Sequence, residues 1–150
     1  MSLRDWLRNN WLVEHESSAE EVAALLAIVE RDLANAKVAG LSEDWRLNIA
    51  YNAALQAATA ALGAAGFRAA REQHHYRTIQ SLALTLGWPI TKIDRFDRFR
   101  KKRNIGGYEA AGVASEREAR EMHELAVALR DDVLAWLRKR HPKLMRGSVL

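Results

Sequence analysis

The residues best suited to chemistry lie at the end of a basic segment, the run from Thr91 to Tyr108. At about 100° per residue, Ile93, Phe96 and Phe99 form one apolar stripe of a helix. Arg103 projects close to the centre of that stripe. A charge on an inward face is costly unless it is paired or lies at an opening. Arg103 is therefore the first candidate functional residue.

Arg103 is followed by Asn104 and then, after a glycine pair, by Tyr108. A guanidinium is a permanent, bidentate ligand for phosphate, and a tyrosine can donate a hydrogen bond to phosphate or stack on a base. We take these three residues as the candidate catalytic set. A structural alternative stays open, in which Arg103 pairs with a carboxylate and Tyr108 packs on the turn.

Further cations in the same segment predict a surface for nucleic acid: Arg95, Arg98, Arg100, Lys101 and Lys102. The formal charge is +4 and the sequence pI is about 9.7, which permits nucleic-acid binding without demanding it. Acidic residues are frequent in the first half of the chain, so the positive field is concentrated on part of the surface. We expect RNA or another phosphate-bearing ligand; the alternative is a solvated helix face.

Other kinds of site find little support. The adjacent His74 and His75 point about 100° apart on a helix, and no histidine belongs to an HExxH pair. Glu72 and His75 have one Glu-x-x-His spacing, without a second copy on a facing helix. There is no cysteine, no glycine-rich phosphate loop and no GxSxG elbow. We expect neither a metal nor a cofactor.

The spacing of apolar residues predicts an all-α fold, an antiparallel up-and-down bundle of four to five main helices plus a short N-terminal helix. No clear strand alternation is visible, and only two prolines occur. The predicted helices run from Leu3 to about Leu12, from Ser17 or Ser18 to near Gly40, from Ser42 to the glycines 63 and 66, from about Arg71 to Leu86, from about Thr91 to Gly106, and from Ser115 to about Arg140.

The 150 residues fit one domain, with a core of about 17–142 and a loose tail over 143–150. The N-terminus has early charges and no uninterrupted apolar core, and no stretch approaches a membrane span. We expect a cytoplasmic protein without a membrane partner. Trp6, Trp11 and Trp88 are candidates for exposed aromatic surface at an interface.

Two sequence features together resemble the HEPN domain family: the element R-N-x-x-x-Y from Arg103 to Tyr108, and a last helix that ends in W-L-x-x-x-H-P. The resemblance covers roughly Ser17 to Pro142 and includes the run HHYRTIQSL. HEPN proteins are small helical bundles, many of them ribonucleases or components of prokaryotic toxin–antitoxin pairs. Their hallmark is R-x(4–6)-H, and here Tyr108 stands in the place of the histidine.

The resemblance implies a homodimer in which two copies of the motif meet. It makes Arg103 the ligand of the scissile phosphate and Asn104 its support, in a metal-independent attack by the ribose 2′-hydroxyl. Tyrosine, with a pKa near 10, is a poor general base at neutral pH, so the activity of Tyr108 in this role is open. His74 or His75 could supply the missing imidazole, although no sequence feature positions them.

Three functions are therefore considered. The first is an RNA-binding HEPN protein, a weak endoribonuclease or toxin. The second is a non-catalytic dimeric adaptor for a minimal nucleotidyltransferase, which in some such pairs modifies a tyrosine, here Tyr108. The third is a structural or small-ligand-binding bundle, in which replacing Arg103 lowers stability only.

Overall fold

The computed structural model describes the backbone of residues 1–106 and 112–145, and side chains as far as Arg103 and again from Gly112. The fold is mostly helical, as the sequence predicts. Its helices are α1 (Leu3–Arg8), α2 (Ala19–Asn35), α3 (Glu43–Ala64), α4 (His74–Gln80), α5 (Leu82–Thr85), α6 (Ile90–Gly106) and α7 (Glu116–Arg140), followed by a 3₁₀ turn, Pro142–Met145.

A small sheet corrects the all-α prediction. Strand β1 (Leu12–Glu14) pairs antiparallel with β2 (Phe67–Ala69), so that Leu12 lies opposite Ala69. Each strand has three residues, which is too short for a period-two pattern to be recognised in a sequence. Beneath the sheet, a small apolar cluster forms around Trp6, Leu12, Leu62, Phe67 and Ala69.

The predicted starts of three helices are confirmed by their N-caps. The hydroxyls of Ser18, Ser42 and Ser115 each accept a hydrogen bond from a backbone N–H in the first turn of α2, α3 and α7. At Ser115 the capping box is complete, because the Glu118 carboxylate accepts the Ser115 N–H at 3.0 Å. These starts were predictable because a cap depends on residues that are neighbours in the sequence.

Helix α3 is the centre of the fold. It packs mainly against α2 and α7 and also contacts α4, α5, α6 and β2. Because partners surround it, its apolar residues are not confined to one stripe: alanines such as Ala50, Ala54 and Ala57 are buried on several sides. Trp45, in the first turn of α3, is 62% exposed. Small side chains let the neighbouring helices approach closely.

The predicted fourth helix is divided. Its first residues, 71–73, form a bend and a turn that follow β2, and the rest forms α4 and α5, which separate at Ser81. The Ser81 hydroxyl donates to the Thr78 carbonyl at 2.6 Å, and the Thr78 hydroxyl donates to the His74 carbonyl at 2.8 Å. Such bonds to preceding carbonyls loosen and bend helices.

Both ends of the chain differ from the sequence prediction. Helix α1 ends at Arg8 rather than near Leu12, because Asn10 has a positive φ of 62° and the chain turns into β1. Near the C-terminus, the 3₁₀ turn packs Leu144 and Met145 against the main core, so the predicted loose tail does not begin at residue 143. Residues 146–150 lie outside the described part.

The tryptophans predicted as exposed are mostly covered. Trp6 and Trp88 are buried, and the indole N–H of Trp88 donates to the Asp132 carboxylate at 2.9 Å. Trp11 is half-buried. Within the described residues, no helix is both long enough and apolar enough to span a membrane.

Candidate functional site

Arg103 lies where its position on the helix predicts. Ile93, Phe96 and Phe99 are buried and form the inward stripe of α6. The half-buried Arg103 points to the same side, and its guanidinium carbon is 5.6 Å from the ring centre of Tyr51 on α3. The predicted inward orientation is confirmed. Among the side chains described, no carboxylate pairs with Arg103 within 4.0 Å.

A cleft opens between the start of α4 and the middle of α6. It has a volume of about 460 Å³. We call it the histidine cleft, and it is lined by Gln73, His74, His75, Tyr76, Asp97, Arg100 and Lys101. Gln73 precedes α4 in a left-handed conformation, φ 54° and ψ 37°, so that the helix begins abruptly at His74. Both histidines line the cleft and are half-buried.

His75 connects the histidine cleft to Arg103 through Tyr51. The Tyr51 hydroxyl forms a hydrogen bond of 3.4 Å with Nδ1 of His75, and the two ring centres are 6.2 Å apart. Tyr51 is otherwise enclosed, and burial raises its pKa far above the ordinary value. Its hydroxyl therefore stays protonated and is able to donate to Nδ1, in which case the neutral ring of His75 carries its proton on Nε2.

The electrostatics of the cleft favour neutral imidazoles. Burial lowers the pKa of His75, and the nearby charges of Arg103 and Arg100 lower it further. Burial and the charge of Arg68 lower the pKa of His74. The two rings contact each other edge to face, with centres 6.0 Å apart. At neutral pH both are therefore uncharged, and one can accept a proton.

Asp97 organises the cations on the α6 side of the cleft. Its carboxylate, which is largely buried, accepts a hydrogen bond from Arg100 Nε at 2.7 Å and lies 3.6 Å from Lys101 Nζ. Only Arg100 Nε is occupied by this bond, so its terminal nitrogens keep their donors for an anion. The single negative charge of Asp97 does not balance the three positive charges of Arg100, Lys101 and Arg103, so this region is positively charged.

Stacked side chains fix the start of α4. The guanidinium carbon of Arg77 lies 3.7 Å from the ring centre of Trp11 and 5.4 Å from that of Tyr76. The guanidinium carbon of Arg100 on α6 lies 5.6 Å from the same Tyr76 ring centre. Such cation–π contacts connect the N-terminal segment, α4 and α6. They hold the histidine-bearing turn against α6.

The predicted site residues are only partly brought together. Arg100 and Lys101 line the histidine cleft together with the imidazoles, and Arg103 lies next to it against the Tyr51 ring. Arg95 and Arg98 are exposed on the other flank of α6. Lys102 pairs with Glu118 at 3.1 Å. The side chain of Asn104 and all of Tyr108 lie outside the described residues.

Sequence reasoning missed Tyr51 and Asp97 and left His75 without a position. Tyr51 follows Leu47 by one turn on a buried face of α3, and a buried phenol needs a hydrogen-bond partner. That signal was available in the sequence. The partner was not, because His75 is 24 residues away and is brought close only by the packing of α4 on α3.

Comparison with known proteins does not identify a relative: no family model, no curated protein and no solved structure matches the chain. Within the described residues, no group of three or more histidines or carboxylates is arranged to hold a metal ion. The histidine cleft, with its imidazoles and cations, is therefore the candidate functional site.

Proposed function

We propose that this protein binds RNA through the histidine cleft and cleaves it as a weak, metal-independent endoribonuclease. The observation that carries the proposal is the convergence of two neutral imidazoles, His74 and His75, with the cations Arg100 and Lys101 in the histidine cleft and with Arg103 beside it at Tyr51. A phosphodiester needs cationic donors for its oxygens and a base for the ribose hydroxyl, and this cluster supplies both.

Binding of the phosphate falls to the arginines. Arg103 reaches the cluster beside Tyr51, and Arg100 keeps its terminal nitrogens available while Asp97 holds its Nε. Guanidinium groups bind phosphate bidentately and keep their charge at all working pH values. Because an anion offsets the repulsion between the arginines and a protonated imidazole, phosphate binding raises the pKa of His75.

Proton transfer falls to the imidazoles. In the proposed reaction His74 takes the proton of the ribose 2′-hydroxyl, and the 2′-oxygen forms a bond to phosphorus. The bond from phosphorus to the 5′-oxygen breaks, and that oxygen takes a proton from water. His75, with Nδ1 bound to the Tyr51 hydroxyl, donates Nε2–H to a phosphate oxygen. The products are a 2′,3′-cyclic phosphate and a 5′-hydroxyl.

This proposal retains the resemblance to the HEPN family and modifies one detail. The motif has Tyr108 where the family has a histidine, and in this proposal His74 and His75 of α4 supply the imidazole instead. The site is then formed by residues that are distant in the sequence. The antiparallel bundle and the homodimer belong to the same proposal. A nucleotidyltransferase partner stays a prediction, since its target Tyr108 lies outside the described residues.

The test is RNA binding and cleavage by purified wild type, Arg103→Ala, His74→Ala and His75→Ala, all in EDTA. Wild-type binding should weaken as salt rises. Arg103→Ala removes a charge-assisted contact of about 1.5–3 kcal/mol and should weaken binding roughly tenfold or more. His74→Ala should bind RNA as wild type does and no longer cleave it. The products of wild-type cleavage should carry 2′,3′-cyclic phosphate ends.

Arg138→Ala is a matched control, because Arg138 is exposed and far from the end of α6. Glu118 on α7 pairs with Lys102 of α6, and Arg138 lies about 30 Å further along α7, at 1.5 Å per residue. RNA binding that is absent, or equally affected by Arg138→Ala and Arg103→Ala, would contradict the proposal. A lower melting temperature of Arg103→Ala with no change in binding would instead support a structural bundle.

A further inference from the structure

A second cavity lies on the opposite flank of α6. It has a volume of about 610 Å³, and we call it the α6–α7 groove. Its lining includes the cations Arg95, Arg98, Lys101, Lys102 and Arg117. Phe99, largely buried, forms part of its floor.

The groove has an excess of positive charge. Its two carboxylates are already engaged, Glu118 with Lys102 at 3.1 Å and Glu121 with Arg117 at 3.0 Å. Arg95 and Arg98 make no ion pair with any side chain in the described ranges, 1–103 and 112–145. An exposed cation without a partner is available to a polyanion.

Lys101 joins the two cavities, because it lines both the histidine cleft and the α6–α7 groove. From this continuity we infer that one single strand of RNA occupies both cavities and crosses α6 at Lys101. The inference rests on the proposed function, since it extends the ligand of the histidine cleft into a second site.

The dimensions of α6 decide the size of the ligand. A helix with its side chains is about 10–12 Å across, so a ligand that touches both flanks must span at least that distance. A single phosphate or a mononucleotide is too short, and a strand of several nucleotides is sufficient. The groove therefore makes affinity depend on the length of the RNA.

The path also selects single strands over duplexes. It passes over the surface of one helix, from a cleft on one flank to a groove on the other. A double helix cannot bend within roughly 10 Å, since even DNA has a persistence length of about 150 base pairs, whereas a flexible single strand follows such a surface.

The test compares a dinucleotide, a longer single-stranded oligoribonucleotide and a duplex of equal length. The proteins are wild type, Arg103→Ala and the double variant Arg95→Gln, Arg98→Gln. We expect wild-type affinity to be highest for the longer single strand. The double variant should bind that strand less tightly, with a salt slope shallower by about 1.4, and bind the dinucleotide as wild type does. Arg103→Ala should bind both the dinucleotide and the longer single strand less tightly than wild type does.

The control carries the same charge change elsewhere, Arg138→Gln with Lys139→Gln at the exposed end of α7. Unchanged binding of the longer strand by the groove variant would overturn the inference and leave the proposed function standing. An equal effect of groove and control variants, or equal binding of duplex and single strand, would also overturn it. If wild type binds no RNA at all, the proposed function itself fails.

Discussion

The hydroxyl of Tyr51 on α3 lies 3.4 Å from Nδ1 of His75 on α4, and the guanidinium carbon of Arg103 lies 5.6 Å from the centre of the same Tyr51 ring. This contact is the only described hydrogen bond of either side chain in the part of the chain that the structure covers. It joins the central helix to the histidine cleft and sets which nitrogen of His75 carries the proton. The orientation of the ring therefore depends on a residue that cannot reach the cleft itself.

Replacing Tyr51 by phenylalanine should separate positioning from binding. The loss of one hydrogen bond should lower the free energy of unfolding by about 1 kcal/mol. RNA binding should persist because Arg103 and Arg100 remain, while the cleavage rate should fall as His75 loses its fixed tautomer. Thr59→Val is the matched control, since it also removes one hydrogen bond from α3, that of the Thr59 hydroxyl to the Leu55 carbonyl at 2.8 Å, and Thr59 does not line the cleft. An unchanged cleavage rate in Tyr51→Phe would exclude this positioning role.

The lowered pKa values of His74 and His75 predict how stability depends on pH. In the unfolded chain each imidazole titrates near 6.5, so below that pH the unfolded state binds more protons than the folded state. The free energy of unfolding should therefore decrease as pH falls below 6.5, until the folded-state pKa values are passed. In His74→Gln with His75→Gln this slope should be shallower.

Urea unfolding across this pH range measures that effect. A control is His123→Gln, because His123 binds the Leu33 carbonyl through Nε2 and does not line the histidine cleft. Saturating RNA should reduce the slope in wild type, since the bound phosphate favours protonated imidazole. A wild-type slope identical to that of the double variant would mean that folding does not lower the pKa values of His74 and His75.

How much was predictable depends on the range of the interaction. The caps at Ser18, Ser42 and Ser115 and the inward stripe of α6 follow from residues within one or two turns, and the structure has them where the sequence predicts. The inward position of Arg103 follows from the same periodicity.

What the sequence did not disclose depends on pairing across the fold. Strands β1 and β2 are short and lie far apart in the chain, so neither has a recognisable pattern alone. The histidine cleft likewise needs α4 to begin abruptly after Gln73 and to pack on α3 and α6. Local periodicity instead predicted one continuous helix from Arg71, because hydroxyl bonds such as that of Ser81 leave no periodic signal.

The left-handed backbone of Gln73 predicts a stabilising substitution. At φ 54° and ψ 37° a residue with a Cβ pays roughly 1–2 kcal/mol that glycine does not. Glycine loses more entropy on folding, by roughly 0.5–1 kcal/mol, so Gln73→Gly should still raise the melting temperature by about 2 °C. Gln80→Gly, at the last residue of α4, where the backbone is right-handed, should lower it. A decrease in Gln73→Gly would indicate that the Gln73 side chain stabilises the cleft.

Asp44 predicts an acid-sensitive connection between α3 and the segment that precedes α7. Its carboxylate accepts the backbone N–H of Gly112 at 2.6 Å and that of Ala114 at 2.9 Å, and these bonds lower its pKa from 3.8. The stabilisation is present above the unfolded-state pKa and is lost as pH falls through the lowered folded-state value. Asp44→Asn should melt at a lower temperature than wild type at neutral pH, because an amide accepts these two bonds less well. The difference should shrink below pH 3.8.

Thermal melting of both proteins across the acid range measures this loss. Asp94→Asn, at an exposed position of α6, makes the same chemical change and should leave the melting temperature unaltered. If Asp44→Asn melted with wild type at neutral pH, the two backbone bonds would contribute nothing to the fold. Because Asp44 anchors the chain directly after the segment that contains Tyr108, cleavage by Asp44→Asn is informative too. A loss of RNA cleavage at a temperature where the variant is folded would indicate that this connection also serves the site.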